Sequence, residues 1–199
     1  MRIFVATLLT CVLAPIALPA SARTASDAIV TAAQERTLAD VRYDPAYVSL
    51  KYPGGDVPAD TGVCTDVVIR TFRAAFGFDF QKAIHEDMRA NFSSYPKNWG
   101  LKRPDKNIDH RRVPNIERFL KRQGAAVKIT KNPEDYQPGD IVSWRLGGTL
   151  PHIGIVSAKK SPWGTPLIIH NVGAGPVEDD LLFNTKINGH FRFLPNSNS

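Results

Sequence analysis

Apolar positions along this chain change their period once. From Ser26 to about Asp40, Ile29, Val30, Ala33 and Leu38 follow a Ser cap and Asp27, which predicts a first helix ended by Asp44-Pro45. The run from Thr65 to Phe76 places Val68, Phe72 and Ala75 at helical spacing, widened by Val67 and Ile69, and Gly77 stops it. A further helix is predicted over Phe80 to Asn91, and another with Pro114 in its first turn, running through Ile116, Phe119 and Leu120 to Gly124. Beyond Gly124 the runs turn short and β-branched: Val127 to Thr130, Ile141 to Leu146, His152 to Ala158, Leu167 to Asn171 and His190 to Leu194, each bounded by Gly, Pro or Asn. Two stretches lack either period. Tyr43 to Thr61 is rich in Pro, Gly and Asp and reads as a long ordered loop; Ser93 to Arg112 is polar and basic, with Pro96, Trp99 and Pro104, and reads as a second.

Helices first and strands afterwards, with none between the strands, predict an α+β domain: N-terminal helices packed on an antiparallel meander. The start of the chain has a different character. Arg2, an apolar stretch from Ile3 to Leu18 and the small residues Ala20-Ser21-Ala22 predict a secretory leader cleaved after Ala22. About 16 apolar residues broken by Pro15 and Pro19 fall short of the ~20 that span a bilayer. The expected organisation is a leader over residues 1–22, a helix and loop over 23–60 and one domain over 61–195, soluble in the periplasm or secreted, with no stable membrane insertion.

Composition then singles out one residue. The 199 residues are 43% hydrophobic and 22% charged, as in ordinary globular proteins, and include two cysteines, too few for a disulfide framework or a four-cysteine zinc site. Losing 22 residues leaves 177 and removes Arg2 and Cys11, so the charge falls from +6 to +5 and Cys64 stands alone. In an oxidising compartment an unpaired thiol is a hazard unless buried or useful. Cys64 lies at a predicted helix start, where free N–H groups and the helix dipole favour thiolate over thiol. A nucleophile needs a base, and His152 and His170 sit in or at the edge of predicted strands. Alternation puts His152, Gly154 and Val156 on one face, with Gly154 leaving space beside the imidazole, and His170 beside His152 if their strands are neighbours. The bland alternative is a small buried cysteine and two structural histidines.

Several short segments carry a family resemblance. Gly62-Val63-Cys64-Thr65-Asp66-Val67-Val68, Pro138-Gly139-Asp140-Ile141-Val142, Leu150-Pro151-His152-Ile153-Gly154-Ile155-Val156 and Ile168-Ile169-His170-Asn171 resemble the motif order of the NlpC-type secreted cysteine peptidases, papain-like enzymes that cut peptidoglycan peptides. More closely, nearly the whole chain after the leader is similar to a bacterial exported family catalogued as domain of unknown function 1287. That similarity rests on Tyr43-Asp44-Pro45, Tyr52-Pro53-Gly54-Gly55-Asp56-Val57-Pro58, the Cys64 segment, Asp109-His110-Arg111-Arg112-Val113-Pro114-Asn115 and His170-Asn171-Val172-Gly173-Ala174-Gly175. The resemblance implies a papain-like fold, Cys64 as nucleophile, His152 as base and His170 as the residue that orients it. NlpC-type enzymes carry an acidic residue before the cysteine, which helps bind the substrate amine, and a Ser-Gly pair after it. Here Val63 precedes and Thr65-Asp66 follow.

Asp66 therefore has two readings, a substrate contact or an acid complementing the helix dipole. Arg111 and Arg112 likewise are either a locally paired loop or a clamp for the carboxylates of stem peptides. Trp144 and Asn171 complete the candidate substrate contacts. No two of Cys64, His110, His152 and His170 have the short spacing of a zinc motif, so neither a metal nor another cofactor is expected. The basic residues are interrupted by acids and form no nucleic-acid motif; the modest positive charge suits an anionic wall or outer-membrane surface. The expected activity is amide hydrolysis in peptidoglycan by a monomer, with a non-catalytic wall-peptide binder and a papain-like acyltransferase as alternatives.

Overall fold

The computed structural model describes residues 20–195; the expected leader, with Cys11, lies outside the described residues except for its last three positions. Helix α1 (Ala20–Arg36) is followed by a two-residue strand β1 (Arg42–Tyr43) that pairs in parallel with β2 (Thr61–Gly62). Next come α2 (Cys64–Phe76), α3 (Phe80–Asn91) and α4 (Val113–Arg122), and then β3 (Ile141–Leu146), β4 (Leu150–Lys160), β5 (Pro166–Asn171), β6 (Pro176–Asp179) and β7 (Ile187–Phe191). The last five strands form one antiparallel sheet in the order β6-β5-β4-β3-β7. The protein is thus a mixed α+β chain, with its four described helices preceding the five-stranded sheet. No described helix is long and apolar enough to cross a membrane.

Helix ends follow local chemistry. Gly77 closes α2 in the left-handed region (φ 66°) and donates to the Arg73 carbonyl, while Asp79 caps α3 by accepting from Gln81 N–H at 2.9 Å. The long loop before α2 is held by two side chains on the helices. Arg70 donates to Asp56 and to the carbonyls of Val57, Pro58 and Thr61; Gln81 accepts from Gly55 N–H and donates to the Lys51 and Lys106 carbonyls. These contacts, together with the β1–β2 ladder, deliver Gly62 and Val63 to the start of α2.

The sheet is apolar on both faces. Ile141, Ile153, Ile155, Ile169 and Phe191 pack with α2, α4 and Ile29 and Ala33 of α1, so the N-terminal helix shares one core with the later domain. Val142, Trp144, Val156 and Ile168 face the other way, onto Tyr136, Leu182 and Ile187. The strand expected over Val127 to Thr130 is not formed: Ala126 makes one bridge to Phe191 and Val127 donates to the His190 carbonyl, after which the chain leaves the sheet. Thr130 is instead clamped into a turn, its Oγ1 donating to Asp135 and its carbonyl accepting from Tyr136 OH. The last strand spans 187–191 rather than 190–194, and the polar edge strand β6, which opens on a proline, had no apolar alternation to announce it.

Candidate active site

The first turn of α2 is organised around Asp66. Val63, extended at φ −126°, donates its N–H to Asp66 Oδ2 at 2.7 Å, so the carboxylate caps the helix from its third position. Arg111 then grips both carboxylate oxygens, Nε to Oδ1 at 3.0 Å and Nη2 to Oδ2 at 2.9 Å, and donates to the Ala46 and Asp44 carbonyls. The two side chains are only 3% and 4% exposed. This overturns the expectation that Asp66 and Arg111 contact substrate: their hydrogen bonds are made within the protein, and the pair ties the Asp109–Arg112 segment to the start of α2. The Arg112 side chain is 16% exposed, donates to Asp109 Oδ1 and lies 4.1 Å over the Trp99 ring.

Cys64 is the first residue of α2 and is 6% exposed, packed with Val67, Val68, Ile153 and Ile155. Burial pushes its thiol up to about 12, against the backbone N–H groups of Ile153, Thr65 and Cys64 itself that favour the thiolate; the nearby Asp66 charge raises it further. The helix-start thiolate expected from sequence is therefore absent, because desolvation outweighs the helix terminus. DTNB at pH 8 should label folded protein at least about 100-fold more slowly than urea-unfolded protein. Equal rates in a stopped-flow comparison would mean that the thiol is open.

The two candidate histidines do meet. His152 lies opposite Trp144 on β3, and β5 brings His170 alongside, so that His152 Nε2 and His170 Nδ1 are 2.9 Å apart with their rings edge to face. His170 reaches diagonally across to β6, where its Nε2 lies 2.9 Å from Asp179 Oδ1. An ionised carboxylate only accepts, so His170 carries its proton on Nε2 and accepts at Nδ1 from His152 Nε2–H. That assignment, made from the hydrogen-bond network, leaves a lone pair on His152 Nδ1, which has no hydrogen bond among the described residues. Asp179, the outer end of this chain, was not foreseen; it lies in the polar strand that lacked an apolar pattern.

The thiol and the imidazoles approach the sheet differently. His152 and His170 share a face with Trp144 and Val156, whereas Cys64 packs with Ile153 and Ile155 and its sulfur meets the sheet at the Ile153 N–H, one residue from His152. Among the described residues no hydrogen bond joins the sulfur to either imidazole. Gly154 does not leave open space: a Cβ there would lie 2.6 Å from Ile168 Cγ2 and 3.0 Å from both His170 Cβ and the Ile169 carbonyl. Its role is to let β5 approach closely. Trp144 is fully buried and donates Nε1–H to the Leu182 carbonyl, so it forms a wall of the core behind His152 rather than a substrate contact. Asn171 is also fully buried; its Oδ1 accepts from Gly173 N–H, its Nδ2 has no partner among the described residues, and it lines a cavity of about 10 Å³ with Val63, Asp66 and Val67.

His190 is structural by its surroundings. His190 Nε2 lies 2.7 Å from Asp140, which Arg192 also grips, and its ring stacks on Tyr136 at 4.3 Å. Among the described residues, no three His, Cys, Asp or Glu side chains are gathered so as to hold a metal ion. His110 and His152 are pulled down to about 4 from 6.5, chiefly by burial, so both are neutral in the folded protein at neutral pH. Once unfolded they protonate near 6.5, the unfolded chain binds more protons below that value, and stability falls as pH drops from about 6.5 to 4. Urea unfolding followed by circular dichroism should lose about 4 kcal/mol between pH 7 and 4.5. A flat profile over that window would show that these imidazoles are not held neutral.

Residues 30–193 match the family described as Domain of unknown function (DUF1287), and the chain belongs to that family. Among its relatives is the uncharacterized protein YijF of Escherichia coli (strain K12), 55% identical over 167 residues that cover 84% of this chain and 81% of YijF.

Proposed function

We propose that the protein is an exported cysteine hydrolase with a papain-like, NlpC-type fold that cleaves amide bonds of peptidoglycan, within the stem peptide or between muramic acid and alanine. The observation that supports this reading is the chain Asp179–His170–His152, in which His152 immediately precedes Ile153, the residue whose N–H meets the Cys64 sulfur. On this reading substrate entry shifts the start of α2 against β4, so that the thiol is uncovered and comes within reach of His152 Nδ1, and the Cys64 proton passes to that nitrogen as sulfur bonds to the carbonyl carbon. The backbone N–H groups of Cys64 and Thr65 stabilise the oxyanion. His152 then gives its proton to the departing amine, and water, deprotonated by the same nitrogen, cleaves the thioester and restores the thiol. The leader places the enzyme in the periplasm or outside the cell.

The protein without its leader, and its Cys64→Ala variant, incubated with sacculi, test the reading: fragments released only by the former support it, and their masses name the bond. The closed, protonated thiol favours a second reading, a non-catalytic binder of wall peptides. On that reading both proteins co-sediment with sacculi equally and neither releases fragments.

A further inference from the structure

Most arginines here are held by carboxylates, as Arg70 is by Asp56, Arg122 by Asp87 and Arg145 by Glu117. Arg89, Lys102, Arg103 and Lys106 form no ion pair among the described residues, yet all four line one groove of about 910 Å³ between α3 and the basic loop before α4. The acid in the lining, Asp105, is engaged: Oδ1 accepts from Asn107 N–H at 2.9 Å and Tyr47 OH lies 3.0 Å from Oδ2. Four cations brought together repel one another, and the single Asp105 carboxylate in the lining offsets that repulsion only in part.

His85 also lines the groove. It is not simply solvent-facing, as its polar helix would imply: the ring stands edge-on to Tyr52 at 5.1 Å, and Nδ1 is buried with no hydrogen-bond partner. Burial, Arg89 and Lys106 all lower its affinity for a proton, with Glu86 and Asp105 opposing them, so both cations act on this ring. A neutral imidazole has one N–H to give and one lone pair, and here the buried nitrogen has neither use met.

We propose that this groove binds a polyanion through phosphoryl groups. A phosphoryl group carries up to two charges and three acceptor oxygens, enough to take a bidentate guanidinium, an ammonium and an imidazole N–H together. A carboxylate carries one charge on two coplanar oxygens and leaves most of these donors unmet. Two linked phosphoryl groups match four cations set along the groove. The site is separate from Cys64 and does not depend on the hydrolase reading.

Inorganic pyrophosphate is the probe. Calorimetric titration of the protein without its expected leader at low salt should give saturable binding that weakens as sodium chloride rises, and Arg89→Ala/Lys106→Ala should weaken it about tenfold or more. Both side chains are exposed and form no ion pair, Lys106 making only a 5.8 Å cation–π contact with Tyr52, so the thermal midpoint of the variant should stay within about 3 °C of the wild type. Bound pyrophosphate should also raise the His85 titration midpoint in ¹H–¹⁵N spectra of the ring nitrogens. The proposal is overturned if 10 mM pyrophosphate, on the order of the weakest affinity that matters for a surface site, does not bind. Binding by the double variant within about twofold of wild type overturns it too, as does glutarate binding as tightly as pyrophosphate.

Discussion

Cys64→Ala should, on the proposed hydrolase reading, abolish fragment release from sacculi, lowering the rate by on the order of 10⁴-fold or more, because Cys64 is the one thiol among the described residues that could form the thioester. His152→Ala should cost nearly as much. A nucleophile and its base act as a unit, so the double variant should be no worse than either single one. Asp179→Asn is expected to be milder, because Asp179 acts on His152 only through His170, and its side chain, 55% exposed, is partly screened by water. Thermal unfolding checks that each variant is folded. Cys64→Ala removes one sulfur from a packed site and should unfold within about 10 °C of wild type. Release by Cys64→Ala at the wild-type rate would remove the cysteine from the chemistry altogether.

Arg111→Ala should be the most destabilising single change, at about 3–5 kcal/mol. It strands the Asp66 carboxylate in a site where only the Val63 N–H remains as partner, and it frees the Asp44 and Ala46 carbonyls that Arg111 also holds. For a chain of this size that corresponds to roughly 6–20 °C in thermal midpoint. Asp66→Ala/Arg111→Ala should be less destabilising than the sum of its singles, since no unpaired charge is left behind. Equilibrium unfolding in urea gives the cycle directly. An Arg111→Ala midpoint within about 1 kcal/mol of wild type would return Arg111 to the role of a free anion clamp.

The helices were legible where punctuation and period agree. Gly77 and Asp79 bracket the junction of α2 and α3, Pro114 opens α4, and an apolar face at 3.6-residue spacing runs between them. The strands β3, β4 and β5 were legible from β-branched runs, and with them the meeting of His152 and His170, since consecutive short strands pair with their neighbours. β6 escaped because an edge strand needs no apolar alternation, and Asp179 escaped with it. The Val127–Thr130 run misled because β-branched composition records a preference for extended backbone, whereas a strand needs a partner along its whole length.

What the amino-acid sequence determined by itself is therefore local and periodic: which segments coil or extend, where they stop, that Cys64 begins a helix, and that two histidines lie on adjoining strands. Whether a charge or a thiol is available for chemistry was decided only by the tertiary structure. Arg111 and Asp66 are distant in sequence and look like surface residues until folding buries them against each other. Cys64 stands at the terminus of a helix dipole, yet its thiol is held protonated by the apolar side chains of strands that follow it by some ninety residues. Dipoles and caps are set by neighbours along the chain; desolvation is set by everything that packs around a group, and in this protein desolvation is the larger effect.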